Sequence, residues 1–334
     1  MPPDPSIRDL RRAAIPTNPW FAFNKFLSTH MMIAAPLCVL IGVLFPSQFM
    51  WMSPAVEWLF AFMTFQSSMG ATSRQMLDVV RHPKLLVAAL LVQLVGMPLL
   101  AFGVGSLVLP GQHDLLLGVV LEYCVPMGVN GLMWTEIFTG NKSLSLAVVI
   151  ISTVLSPFTM PLTMQVLMGT TVHVEVMGMM KDLLIMVAIP AVLGIACNDL
   201  SRGKANAKVA PWIAPLAKIF LIIVLVVNST HIAEPMRHLT PTLVAIVVMM
   251  FILGSSGYVL GYVVARLLRS DVTDSLTTGI TTGARNISSG AVIAEMYFPD
   301  AAMFPVMMGT LFQHVIAAAY GSIIRKMEAR AAAK

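Results

Sequence analysis

Charge is what this chain has least of. Of 334 residues only 11% are Asp, Glu, Lys or Arg, while 57% are hydrophobic and the mean hydropathy is +0.82. Soluble domains carry about 25% charged residues, so a soluble enzyme or scaffold is excluded and a polytopic membrane protein is implied. Cysteine is scarce too. Cys38, Cys124 and Cys197 fall in three separate apolar runs, and no CxxC pair or His/Cys cluster predicts a disulfide framework or a metal site. Motifs of intramembrane catalysis are missing: there is no HExxH, no Gly-x-Ser-x-Gly and no paired membrane aspartates. No enzyme is expected. The pI near 9.2 does not point to nucleic acid, because the basic residues are scattered through short loops. The 26 methionines read as adaptable core and lipid-facing filler.

What is present is a series of apolar runs, each near the ~20 residues that a spanning helix requires. They lie at about 27–46, 52–71, 85–108, 115–139, 143–168, 178–198, 211–232, 241–265, 275–297 and 302–324. The expected fold is therefore all-α, with ten transmembrane helices. MPPDPSIRDLRR lacks an apolar core directly after its basic residues, so a cleaved signal peptide is not expected, and NPWFAFNKF (18–26) reads as an interfacial lead-in. Eighteen basic residues fall on the side of both termini and two, Lys181 and Arg237, on the other. The positive-inside rule then puts both termini in the cytoplasm of a multi-pass protein of the plasma (inner) membrane, surrounded by lipid.

Ten spans divide into five and five, and an odd number per half inverts the halves. The expected organisation is a lead-in at 1–26, a first repeat at 27–168, an inverted second repeat at 169–324 and a tail at 325–334. The fourth span of each half is interrupted at matching depth. LEYCVPMGVNGLMW (121–134) holds Pro126, Gly128, Asn130 and Gly131; GITTGARNISSG (279–290) holds Gly279, Gly283, Asn286 and Gly290. Proline removes a backbone donor and glycine weakens a helix. One such span reads as an ordinary kinked helix; two in register point to the discontinuous helices of a transporter site.

At these residues the chain resembles the bile acid:sodium symporter family, within a wider superfamily that includes arsenite-efflux permeases. The likeness covers about 55–325. MGATSRQMLDVVRHPK (69–84) and LLVQLVGMPLLAF (90–102) look like the family's inner loop and its Gln- and Pro-containing third span. GNKSLSLAVVIISTVLSPFTMPL (140–162) follows its Gly-Asn, Ala-Leu-Ser, Ser-Thr-Leu, Pro pattern, and GARN (283–286) stands in place of Gly-Met-Gln-Asn. The resemblance implies a secondary transporter with a panel and a core domain, spans 4 and 9 crossing near two sodium ions, and an organic anion entering between the domains. Carried over, Gln93, Asn130 with its neighbour Gly131, Ser145 and Asn286 match polar positions around the crossing. This chain also departs from the pattern. The family's sodium-bridging glutamate falls on Thr281 (or Thr282), its Gln on Arg285, and a threonine one turn past Ser145 becomes Val149. One expected ion site loses its carboxylate and the other receives a guanidinium, so sodium symport with a sodium-independent alternative is the expectation.

An arginine at the bilayer centre costs at least ~2.5–3.5 kcal/mol unless paired or hydrated. Three readings of Arg285 stand. It replaces a sodium ion as a tethered cation, it binds the substrate's carboxylate or sulfate bidentately, or it pairs with Glu122. That candidate charge partner lies five residues, roughly 7–8 Å of helix, from the centre of span 4. His314 in span 10 faces substrate, serves a proton-linked role or packs as a hydrogen-bonded core residue. Glu136, Glu295 and Lys218 read as snorkelling side chains near span ends. The function expected is alternating-access transport of a small or amphipathic organic anion, with arsenite efflux (through Cys124) or an uncoupled channel as alternatives.

Overall fold

The computed structural model describes residues 19–73, 83–238 and 240–332. Arg8, Arg11 and Arg12 of the lead-in, Arg74 and Arg81 of the second inner loop and Lys334 of the tail lie outside the described residues. Everything described is helix, turn or short extended linker; the single β contact is an isolated antiparallel bridge between Met127 and Arg285.

Twelve helices carry the architecture. They are α1 (Pro19–Leu44), α2 (Val56–Ser68), α3 (Pro83–Val108), α4 (His113–Cys124), α5 (Val129–Ile137) and α6 (Lys142–Met168). After them come α7 (Val176–Leu200), α8 (Ala205–Thr230), α9 (Pro241–Leu267), α10 (Val272–Gly283), α11 (Ile287–Tyr297) and α12 (Met303–Ala332). Six are long and apolar enough to cross a membrane: α3, α6, α7, α8, α9 and the Asp300–Arg330 stretch through α12. Ile33–Leu44 with Pro46–Ser68 makes a seventh if that pair, bent by 99°, is one span. The chain is thus a multi-pass membrane protein. Helix α1 begins at Pro19 and α8 at Ala205, eight and six residues before the expected spans, and the second shift proves consequential.

Two groups emerge from the packing. Helix α8 lies against α1 and α2, and α7 against α2; α9 packs along α10, α3 along α4, and α12 against α4, α9 and α11. Side chains caps fix several starts. Asn141 accepts from the Leu144 amide (3.1 Å) before α6, Thr240 from Leu243 (3.3 Å) before α9, and Asp271 from Asp274 (2.7 Å) before α10, as capping physics favours.

Three of the long helices carry a π turn, Val92–Gly96, Leu184–Ala188 and Ala205–Val209, and each is followed at the same distance by proline: Pro98, Pro190 and Pro211. Proline's ring crowds the carbonyl four residues earlier, and the wider π turn relieves it. In α3 this frees one particular acceptor. The Met97 amide bonds Val92 instead of Gln93, and Pro98 has no N–H to offer. The Gln93 carbonyl is left without a donor from its own helix.

Candidate functional site

The chain breaks twice in the middle of the fold. Between α4 and α5 the backbone is extended at Val125 (ψ 151°) and Gly128 (ψ 146°); between α10 and α11 it is extended at Ala284 (ψ 122°). The two extended pieces lie side by side. Asn286 N–H donates to the Pro126 carbonyl (2.9 Å), Met127 N–H to Ser152 Oγ (3.1 Å) and Arg285 N–H to Gln313 Oε1 (2.6 Å). Backbone groups released from helix are thereby paired inside protein, the condition for irregular backbone at membrane depth. A side chain at Gly128 would collide with the Asn130 side chain and the Arg285 carbonyl, so glycine sets how closely the breaks approach.

Arg285 occupies this crossing and is 2% exposed. Its Nη1 donates to three carbonyls: Gln93 (3.1 Å), Tyr123 (3.2 Å) and Val125 (3.3 Å). The first is the acceptor freed by the π turn and Pro98. The other two belong to the end of α4, where unpaired carbonyls carry the negative end of the helix dipole. The guanidinium carbon stands 5.6 Å from the Tyr123 ring centroid, a cation–π distance. Nε and Nη2 have no hydrogen-bond partner among the described residues. Glu122 is buried against Gly290 and Gly309, and among the described residues no ion pair of 4.0 Å or less joins it to Arg285.

The other expected residues divide into two sets. Asn130, Asn286 and His314 line one cavity of about 720 Å³ together with Arg285, Gly128 and Gln313. Asn286 also caps α11 by accepting from Ser289 N–H (3.4 Å), and Trp134 Nε1–H donates to His314 Nδ1 (3.3 Å). Because indole can only donate, a neutral His314 carries its proton on Nε2. Gly131 is buried, with Ala284 close over it. The second set stays off the cavity wall. Ser145 is buried and accepts from Thr135 Oγ1 (3.1 Å); Thr281 Oγ1 donates back to Thr278 O (2.8 Å); Thr282 Oγ1 donates to Gly257 O (2.7 Å), fastening α10 to α9. Gln93 contributes its carbonyl, while its side-chain amide is fully buried without a partner among the described residues.

Three contributors were missed by sequence reasoning. Gln313 anchors the Arg285 amide, and its place beside His314 was the available signal. Tyr123 adds a carbonyl and an aromatic face. Lys218, read as a snorkelling side chain, lines the cavity from α8 and donates from Nζ to the Asn24 carbonyl (3.0 Å). Glu136 does form an exposed pair with Lys142 (2.9 Å), whereas Glu295 lies 3.5 Å from His231 with both side chains largely buried. Among the described residues no Asp or Glu lines the cavity. A separate cavity of about 770 Å³ opens at the far ends of α4 and α9, near His113, His173 and His238. No group of three or more metal-ligating side chains occurs among the described residues.

Comparison with known proteins identifies the family. The model of the sodium bile acid symporter family matches residues 57–236. YbaS of Bacillus subtilis (strain 168) is 35% identical over 302 residues, 89% of this chain and 97% of its own length. A B. subtilis protein named as a sodium-dependent transporter, YocS, is 28% identical over 266 residues, 79% and 81% of the two chains. The Arabidopsis thaliana protein named "Probable sodium/metabolite cotransporter BASS1, chloroplastic" is 30% identical over 285 residues, 84% of this chain and 69% of that one. The family match spans more than half of the chain, and on that ground the chain belongs to the sodium bile acid symporter family.

Proposed function

We propose that the chain is a secondary transporter of small or amphipathic organic anions that works by alternating access, with Arg285 standing where a relative would place a sodium ion. The observation that carries the reading is the 720 Å³ cavity. It opens between the α1/α2/α8 group and the crossing, it is lined by Arg285, Lys218 and His314, and no carboxylate among the described residues lines it. Its size suits a drug- or metabolite-sized ligand. Helices α5 and α11 begin at its wall with Val129, Asn130, Ile287 and Ser288, and helix N-termini attract negative charge. Apolar Phe60, Met133, Trp134 and Leu221 supply a surface for a hydrophobic body.

The described residues near the first break do not fit a sodium ion. A hard cation needs several oxygen ligands, and here the carbonyls of Gln93, Tyr123 and Val125 already accept from a fixed positive group. Thr281, at the position of the family's glutamate, spends its hydroxyl on its own helix. The relatives named for sodium therefore support a transporter, while the local donors support sodium independence at this position. Cys124 is buried and absent from the cavity wall, which favours an organic anion over arsenite.

The same reading takes each broken pair as one crossing and adds α1 and the α2 region to the longer helices, which gives ten crossings in two inverted groups of five. The breaks then fall fourth in each group. Both termini and the basic loops lie in the cytoplasm, and the cavity faces that side, because it follows α5 down to Ile137 and α2 down to Ser67. The test is thermal stabilisation of the purified protein by bile salts, pantoate, pyruvate and sulfated steroids, each in sodium and in choline buffer. Equal stabilisation in both buffers is expected. Stabilisation in sodium alone overturns the tethered-cation reading, and none by any anion overturns the substrate class.

A further inference from the structure

The two helix groups part around the cavity and meet again at the far end of α8. Leu225 is the last residue of α8 to line the cavity. His231 follows six residues later, roughly 9 Å along the axis. There α11, the second half-helix, ends between polar side chains of the other group. His231 Nε2 stands 3.5 Å from Glu295 Oε1, and its Nδ1 stands 3.2 Å from Asp300 Oδ1. Two residues beyond Glu295, the Tyr297 hydroxyl donates to Asp182 Oδ2 of α7. Gly178, one turn before Asp182, lets the tyrosine approach: a Cβ there would lie 3.1 Å from its oxygen. The apolar residues of these ends are dry. Met179 and Leu183 of α7, Val227 and Ile232 at the end of α8, and Val292 and Ile293 of α11 are buried in one cluster.

We propose that His231 with Glu295 and Asp300, and Asp182 with Tyr297, form a clasp that closes the outer side of the transporter and parts when the cavity opens outward. The assignment rests on the alternating-access reading and names the residues that must separate in its other state. Each contact joins α7 or α8 to α11 or to the segment just before α12, so neither survives if the groups shift past each other. The His231 and Glu295 side chains are only 11% and 12% exposed. A nearly buried pair regains on opening the hydration it lost on closing, which keeps the two arrangements close in free energy. Among the described residues the charged groups that face the His231 ring are Glu295 and Asp300. They favour its protonated form, so the clasp tightens in acid. The simpler role is a permanent strut between packed helices.

Thiol accessibility at Met133, which lines the cavity on α5, separates these roles. Met133→Cys, with Cys38, Cys124 and Cys197 replaced by alanine, would meet a membrane-impermeant methanethiosulfonate in spheroplasts and in inside-out vesicles. With the clasp intact, labelling should be fast from the cytoplasmic face and slow from outside. His231→Gln with Tyr297→Phe should raise the outside rate roughly 10-fold, as expected for lost hydrogen bonds to charged groups, and lower the inside rate. Raising the outer pH from about 5.5 to about 8 deprotonates an imidazole and should speed outside labelling of the clasp-intact protein. The comparison is with the His231→Gln variant at the same pH, which corrects for the reactivity of the thiol. A rise from both sides would mean loosened packing, and no rise from outside would leave a strut. Either overturns the clasp and keeps the transport reading. Equal labelling of the clasp-intact protein from both sides removes alternating access itself, and this inference with it. Glu295→Gln, which keeps the shape of the side chain, replaces the double variant should that one not fold.

Discussion

The two breaks look alike in the sequence and do different work in the structure. The α4/α5 break supplies acceptors: the carbonyls of Tyr123 and Val125 end one half-helix, and no side chain caps the start of the next. The α10/α11 break supplies the cation and the cap: Arg285 reaches across and Asn286 closes the start of α11. One break is thus an electrostatic complement of the other. A crossing that holds a mobile ion needs acceptors from both sides, and this one has a donor built into one side.

The largest way to break that complement is to remove the donor. Arg285→Gln leaves three buried carbonyls short of a partner at about 1–3 kcal/mol each if water cannot reach them, so a loss of several kcal/mol in stability is expected, read as a lower melting temperature in detergent. Adding Thr281→Glu makes the second break resemble that of the family. Sodium should then raise the melting temperature of the double variant and not that of the wild type. A folded double variant blind to sodium would show that Arg285 does not stand in for the ion.

Next in size is the acceptor that α3 contributes. Pro98→Ala restores an amide able to bond the Gln93 or Leu94 carbonyl, and the π turn loses its cause. Arg285 then competes with the helix for Gln93, and a cost of about 1 kcal/mol is expected. The coupling is the sharper readout. In the Arg285→Gln background the Pro98→Ala change should cost less, because its partner is gone, and a double-mutant cycle in thermal unfolding measures the difference. Additive effects would mean that the π turn and the guanidinium are independent.

The caps come third. Asn286→Ala removes an N-cap, typically worth about 1 kcal/mol, and takes a polar group from the cavity. Asn130 caps nothing in the structure, so Asn130→Ala should weaken anion binding with little change in melting temperature. Equal stability losses for the two would erase the asymmetry between the breaks.

How much of this was legible follows from which atoms do the work. Pro126, Gly128, Gly283 and Asn286 announced the breaks because a side chain, or the lack of one, is what interrupts a helix. The partners of Arg285 were not legible, because Gln93, Tyr123 and Val125 act through carbonyls that any residue would supply. The pair with Glu122 was one of three readings of Arg285; what the sequence could not show is that backbone carbonyls supply the hydrogen-bond acceptors of the guanidinium. Thr281 and Thr282 were placed by the resemblance, counting back from Gly283, and their hydroxyls turn to helix carbonyls at 2.8 and 2.7 Å. Lys218 was misplaced by a boundary. With α8 starting at Ala205 rather than near 211, the lysine moves from a span's end to its middle, facing the cavity.

The smallest effect lies at the far ends of the two second half-helices. Each carries a glutamate there: Glu136 on α5 pairs with Lys142 in the open, with both side chains more than half exposed, while Glu295 on α11 sits 3.5 Å from His231 at the end of α8. Asp300 adds a second carboxylate 3.2 Å from the other ring nitrogen. These neighbours, Glu295 first and Asp300 after it, outweigh burial and raise the His231 pKa above its ordinary value. A raised folded-state pKa means that protonation stabilises the fold. The contribution is fully present below the unfolded value of about 6.5 and is lost as pH rises through the higher folded value. Melting temperatures of the wild type and His231→Gln should therefore differ most at acid pH and converge above neutrality, by an amount equivalent to up to about 1 kcal/mol, since Asp300 is exposed and its share is screened. Glu136→Gln should show no such pH-dependent gap. A gap that widens toward alkaline pH would mean that His231 is held neutral, and that α11 is fastened at its outer end by something other than the charge that Glu295 and Asp300 place around it.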